Sequence, residues 1–240
     1  MARPSTARHR LPLAAAACAV ALTTAWAPAG PPRPASGGPA SSATAFPVPA
    51  APGDARQLIT VEAHGTRATV TAWSKGPLGW KPRFGTTGAR VGARGVTDGA
   101  TRRQGTSTTP AGTYTITEGF GLEPARTRMP YTRVDERHWW VQDPQSPHYN
   151  QLRTADGADF PLTEEGERGS EHLADRPVQY ALALVIDFNR WPAVPGRGAG
   201  IFLHVNGAGA TAGCVSVPRE TMERLMAWIR PDRHPRIAIG

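Results

Sequence analysis

The chemistry available to this chain is concentrated in IFLHVNGAGATAGCVSV, residues 201–217, where Cys214 follows His204 by ten residues. A thiolate, not a thiol, attacks a carbonyl, and a cysteine with pKa about 8.5 is only a few per cent ionised at neutral pH. An adjacent imidazole supplies the base, and a fall of about 2 units would make roughly three quarters of the sulfur thiolate at pH 7. Residues 201–205 and 212–217 read as two arms of a hairpin, with Gly207 and Gly209 in the turn. A three-residue loop at 208–210 sets His204 directly across from Cys214, Cβ atoms roughly 5 Å apart, whereas a one-residue slip puts them on opposite faces. Gly213 has no side chain to obstruct a substrate carbonyl approaching the amides of residues 213 and 214, an oxyanion hole.

Other chemistries compete for the same residues. A cysteine in an apolar run also serves as a small buried hydrophobe, and a histidine in IFLHV as a satisfied core residue. Gly207, Gly209 and Ala212 fit a loose G-x-G-x-x-A pattern, but no helix follows directly and no βαβ unit can be completed before residue 240. Zinc is two ligands short, so neither a metal nor a cofactor is expected.

His204 with Thr211-Ala212-Gly213-Cys214 resembles the L,D-transpeptidase (YkuD) family, whose usual form is a histidine followed by Ser/Thr-His-Gly-Cys. Thr109-Pro110-Ala111-Gly112-Thr113-Tyr114-Thr115-Ile116 is similar to the family's Thr-Pro-x-Gly-x-[Phe/Tyr]-x-Ile strand entry, so the likeness covers roughly residues 57–240. Ala212 replaces the second histidine, and the interval from His204 to Cys214 is shorter than in most members. The resemblance implies a mainly β, sandwich-like catalytic domain with a few short helices, in which Cys214 is the nucleophile of acyl transfer on peptidoglycan stem peptides. It also implies His204 as general base and then acid, backbone donation to the oxyanion at Gly213, and acylation by carbapenems. Thr211, Asn206 and Tyr114, within the two motif regions, are the candidate substrate-binding residues. An L,D-carboxypeptidase hydrolysing the same bond is the nearest alternative, and a wall-binding module with a structural Cys214 is the alternative from another class.

Positioning these residues falls to one domain. Arg3, Arg8 and Arg10 precede an apolar run to Ala27, the layout of a secretory signal peptide over residues 1–29. The run is too short for a permanent span. Residues 30–56, rich in Pro, Ala, Gly and Ser, read as a tether, and residues 57–240 as the catalytic domain. Removing residues 1–29 takes three Arg and no acid, leaving 27 − 3 = 24 basic against 19 acidic side chains. That excess suits an anionic cell envelope, whereas a nucleic-acid partner has no stacking motif or recognition helix to support it.

Within the domain, 57–63 and 67–73 alternate as a hairpin, 79–85 and 113–116 continue the β pattern, and 85–109 reads as a long loop. Arg102 and Arg103 in that loop are candidates for holding a substrate carboxylate. Trp139 and Trp140 either pack the core or wall a cleft. The acidic stretch 163–175 reads as a solvated loop or short helix, and 179–188 as a buried strand whose Asp187 or Asn189 either orients His204 or caps the strand end. Met222, Leu225, Met226 and Ile229 recur at helical spacing between Pro218 and Pro231, and 235–239 forms a last strand.

Overall fold

Alternation of apolar and polar residues builds the first two strands. β1 (Gln57–His64) pairs antiparallel with β2 (Arg67–Gly76), His64 opposite Arg67, and Gly65 takes the positive φ (65°) that the two-residue turn demands. The computed structural model describes residues 45–240. The expected signal peptide, and the tether as far as residue 44, lie outside the described residues. The rest of the tether stretch is packed against the domain. Phe46 stands edge-on to Trp73 at 5.4 Å between ring centroids, and Val48 is buried with Leu58 and Ala238.

β3 (Gly79–Arg90), β4 (Val96–Asp98) and β5 (Thr109–Gly121) follow, so the expected loop at 85–109 is shorter than its composition suggests. β3 is largely exposed, and its register rests on backbone pairing with β2 rather than on a burial pattern. Next come β6 (Tyr131–Arg133), β7 (His138–Trp140), β8 (Leu152–Thr154), β9 (Glu171–His172), β10 (Ala183–Ile186), β11 (Phe202–Val205), β12 (Val215–Val217), α1 (Arg219–Trp228) and β13 (Arg236–Ile239). Of the expected strand at 179–188 only β10 is extended; residues 179–181 form a 3₁₀ turn.

The fold is mainly β. The large sheet runs β10-β11-β12-β3-β2-β1-β13-β5-β4, and β10 also pairs with β5, so eight of its strands close into a ring. Leu184, Leu203, Val205, Val215 and Val217 face the interior with Ile59, Val70 and Ile237, and α1 adds Met222, Leu225 and Met226 to that core. Each such side chain contributes roughly 1.5–3 kcal/mol on burial.

The other face of β10, β11 and β12 is covered from outside the ring. Phe202, Ala183 and Cys214 lie there beneath Trp140, Leu173 and Tyr180, which come from the excursion that carries the small sheet β8-β7-β9. Trp140 is fully buried and donates from Nε1 to Asn150 Oδ1, while Trp139 packs with Phe160. Both tryptophans are therefore core residues, not cleft walls.

Candidate active site

β11 and β12 pair in parallel, Leu203 with Val215, His204 with Ser216 and Val205 with Val217. This corrects the expected hairpin, because parallel strands need a connection that leaves the sheet and returns. Residues 206–214 make that excursion, tied down by Asn206 N–H to Val217 O (2.8 Å), Thr211 N–H to Val91 O (3.0 Å) and Ala93 N–H to Thr211 O (2.8 Å). Cys214, one residue before β12, lies level with Phe202, whose N–H donates to Sγ at 3.3 Å. His204 and Cys214 consequently share a face but stand diagonally, with Cβ atoms roughly 7–8 Å apart by sheet spacing instead of directly opposite.

The imidazole is held by its own strand. His204 Nδ1–H donates to Val205 O at 2.8 Å, and since a carbonyl only accepts, the lone pair is left on Nε2. Tyr180 stands edge-on to the ring at 5.5 Å. Burial lowers the His204 pKa to about 4. Neither Asp187 nor Asn189 orients it: Asp187 accepts from Thr115, Thr117 and Arg190, and Asn189 braces its own loop through Val194 and Gly198.

The thiol donates to Gly200 O at 3.4 Å. Burial pushes its pKa up to about 12; the nearby Glu171 charge adds to this, while the Phe202 N–H and Arg102 oppose it. The resting pair is thus a neutral thiol beside a neutral imidazole, the reverse of a thiolate preformed at neutral pH.

Thr211 shapes the turn that presents the sulfur. Its hydroxyl donates to Cys214 O at 2.6 Å and accepts from Gly213 N–H at 3.1 Å, and Thr109 Oγ1 reaches the same carbonyl at 3.2 Å. The Gly213 N–H, expected to face a substrate, is thereby engaged, and among the described residues the Cys214 N–H has no protein acceptor. Gly213 has φ 144°, and a Cβ there would lie 2.7 Å from Arg102 Nη2 and 2.9 Å from Thr108 O. Gly213→Ala is therefore expected to cost about 2 kcal/mol, from strained backbone as well as displaced neighbours, read as a lower urea midpoint. An unchanged midpoint would refute the tight fit.

His204, Thr211, Gly213 and Cys214 line one pocket of about 310 Å³. The L,D-transpeptidase catalytic domain family (YkuD) matches residues 62–237. The chain belongs to this family. Among solved structures, it is similar to Bd1075 of Bdellovibrio bacteriovorus, at 15% identity and a TM-score of 0.40, over 78% of this chain and 48% of that one. It is likewise similar to a mutant of the helical cell shape determining protein Pgp2 from Campylobacter jejuni, at 13% identity and a TM-score of 0.39, over 78% and 47%. The chain spans about half the length of each. No curated protein matches it.

This L,D-transpeptidase-family pocket does not gather every expected residue. Asn206 lies outside its lining, with Nδ2 donating to Gly88 O and Oδ1 accepting from Ser216 Oγ, so it braces strands. Tyr114 donates to Ala111 O and lines a neighbouring cleft with Phe188 and Arg197. The structure also separates the two loop arginines: Arg102, 5% exposed, lines the pocket, whereas Arg103 is exposed outside it.

Glu171 escaped the sequence reading because it sits in a run that looks solvated. Its carboxylate lines the same pocket, accepting from Tyr180 OH at 2.5 Å and Gln142 Nε2 at 3.2 Å, and burial raises its pKa to about 7. Gln104, Gln142 and Gln179 complete an amide-rich wall suited to peptide groups.

Proposed function

We propose that this protein is a cysteine-dependent acyltransferase of peptidoglycan stem peptides, an L,D-transpeptidase of cell wall cross-linking or remodelling. The observation that carries this reading is the shared pocket in which the Cys214 thiol and the free Nε2 of His204 lie on one sheet face. Sγ attacks an amide carbonyl on the L side of a D-residue, and its proton passes to Nε2 as the C–S bond forms. Concerted transfer fits a neutral resting pair, since neither ion is favoured before substrate arrives. The imidazolium then protonates the leaving amine; an acceptor amine attacks the thioester and gives its proton to His204, and the C–S bond breaks as that proton returns to Sγ. Thr211 holds the nucleophile's turn, and the amide wall takes the peptide.

The reading includes export by residues 1–29 and residence in an anionic cell envelope. Among the described residues no helix is long and apolar enough to cross a membrane. Incubation with purified muropeptides and mass analysis of the products tests the assignment. Cross-linked dimers are expected. Shortened monomers alone would replace transfer by L,D-carboxypeptidase hydrolysis, and unchanged muropeptides would overturn both.

A further inference from the structure

We propose that Arg102 supplies, through Nη2, the second hydrogen-bond donor of the oxyanion hole, alongside the Cys214 N–H. The inference rests on the acyl-transfer reading above and names the group that makes the transfer work in this chain. Negative charge on a carbonyl oxygen under attack needs preorganised donors. Here the adjacent backbone cannot provide two, because the Gly213 N–H is bonded to Thr211 Oγ1 and the Phe202 N–H to Sγ.

Arg102 is placed to make up the deficit. Nε donates to Thr108 O at 2.7 Å, Nη1 reaches Arg197 O at 3.4 Å, and the guanidinium carbon lies 5.5 Å from the Phe188 ring centre. Those contacts fix the plane of the group and leave Nη2 without a protein acceptor among the described residues. Nη2 lies just 2.7 Å from where a Cβ on Gly213 would sit, so bare glycine backbone clears its way to the nucleophile's turn. A buried arginine, Arg102 being 5% exposed as a residue, that makes no salt bridge among the described residues is costly in a resting protein. The cost is offset when an anion forms at the pocket, which is the condition for favouring the transition state over the ground state.

In the step itself, the C–S bond forms while the carbonyl π electrons move onto oxygen, which accepts from Nη2–H and the Cys214 N–H. Collapse restores the carbonyl and breaks the C–N bond, with the leaving amine taking its proton from His204.

The test compares two reactions of Cys214. A carbapenem acylates through a tetrahedral oxyanion, whereas iodoacetamide alkylates sulfur by displacement at carbon with no oxyanion, and in both Sγ must give up its proton. The ratio of their rate constants therefore cancels a change in how readily the thiol loses its proton. Arg102→Gln is expected to lower the acylation-to-alkylation ratio about a hundredfold. Arg102→Lys, which keeps the charge and loses the planar fork, should lower it less, and carries the test if the glutamine variant does not fold. Equal falls in both rates would overturn the proposal, leaving Arg102 as a loop brace or thiolate counter-ion. So would weaker carbapenem binding at an unchanged saturating rate, the signature of a carboxylate clamp. Wild-type protein that alkylates but is never acylated would instead sink the acyl-transfer reading itself.

Discussion

Cys214→Ala is expected to abolish carbapenem uptake and lower turnover of muropeptides at least about a thousandfold, because in the proposed mechanism Sγ carries the covalent intermediate. The wild-type domain should gain the mass of one carbapenem: the lactam C–N bond opens, a thioester forms at Sγ, and the thiol proton ends on the ring nitrogen. Cys214 is the one free cysteine among the described residues, so alkylating it beforehand should block the adduct. Stability should hardly move. Cys214 is a small side chain in a cluster dominated by Phe120, Trp140, Tyr180 and Phe202, and its loss to alanine costs about 1 kcal/mol. A melting shift of a few degrees at most is the expected reading. A variant that unfolds, or one that still takes up carbapenem, would contradict the nucleophile assignment.

The second large effect is a pH dependence that wild type conceals. Glu171 has its folded-state pKa raised from 4.5 to about 7, so its contribution to stability is fully present below about 4.5 and is lost as pH rises through about 7. His204 has the opposite sign: lowered from 6.5 to about 4, its contribution is present above about 6.5 and lost as pH falls through about 4. Each shift spans about 2.5 units, or at most about 3 kcal/mol, so the two slopes nearly cancel between pH 4 and 7.

Glu171→Gln removes one of them. The amide can still accept from Tyr180, so the variant is expected to gain up to about 3 kcal/mol over wild type at pH 8, and to keep little of that advantage at pH 4. Urea unfolding of both proteins across that range reads the difference directly, free of every other titrating group. A variant less stable than wild type at pH 8, or parallel to it throughout, would show that the Glu171 carboxylate is not strained by burial.

Some of this was legible in sequence and some was not, for physical reasons. The β1–β2 hairpin and α1 were readable because their apolar residues recur with the period of a strand or a helix, β13 because a short apolar run follows Pro235, and the two motifs pointed to the family. The direction of β12 was not. Glycines between two apolar runs signal a reversal of the chain, and nothing local reveals that Val91, Ala93 and Arg90 capture the connection instead. Arg102 and Arg103 are adjacent and chemically alike, yet only the loop's path over Thr108 and Gly213 sends one inward. Glu171 was hidden by its acidic neighbours, since burial of one charge in a solvated run depends on Tyr180 and Gln142 reaching it from distant positions.

The closed ring has a bearing on how the chain is made. β13 lies between β1 and β5, parallel to one and antiparallel to the other, so the strands at residues 57–64 and 109–121 have no shared neighbour until residues 236–239 exist. During vectorial synthesis or secretion the earlier strands must wait with open edges, and the barrel can shut only after almost the whole domain has emerged.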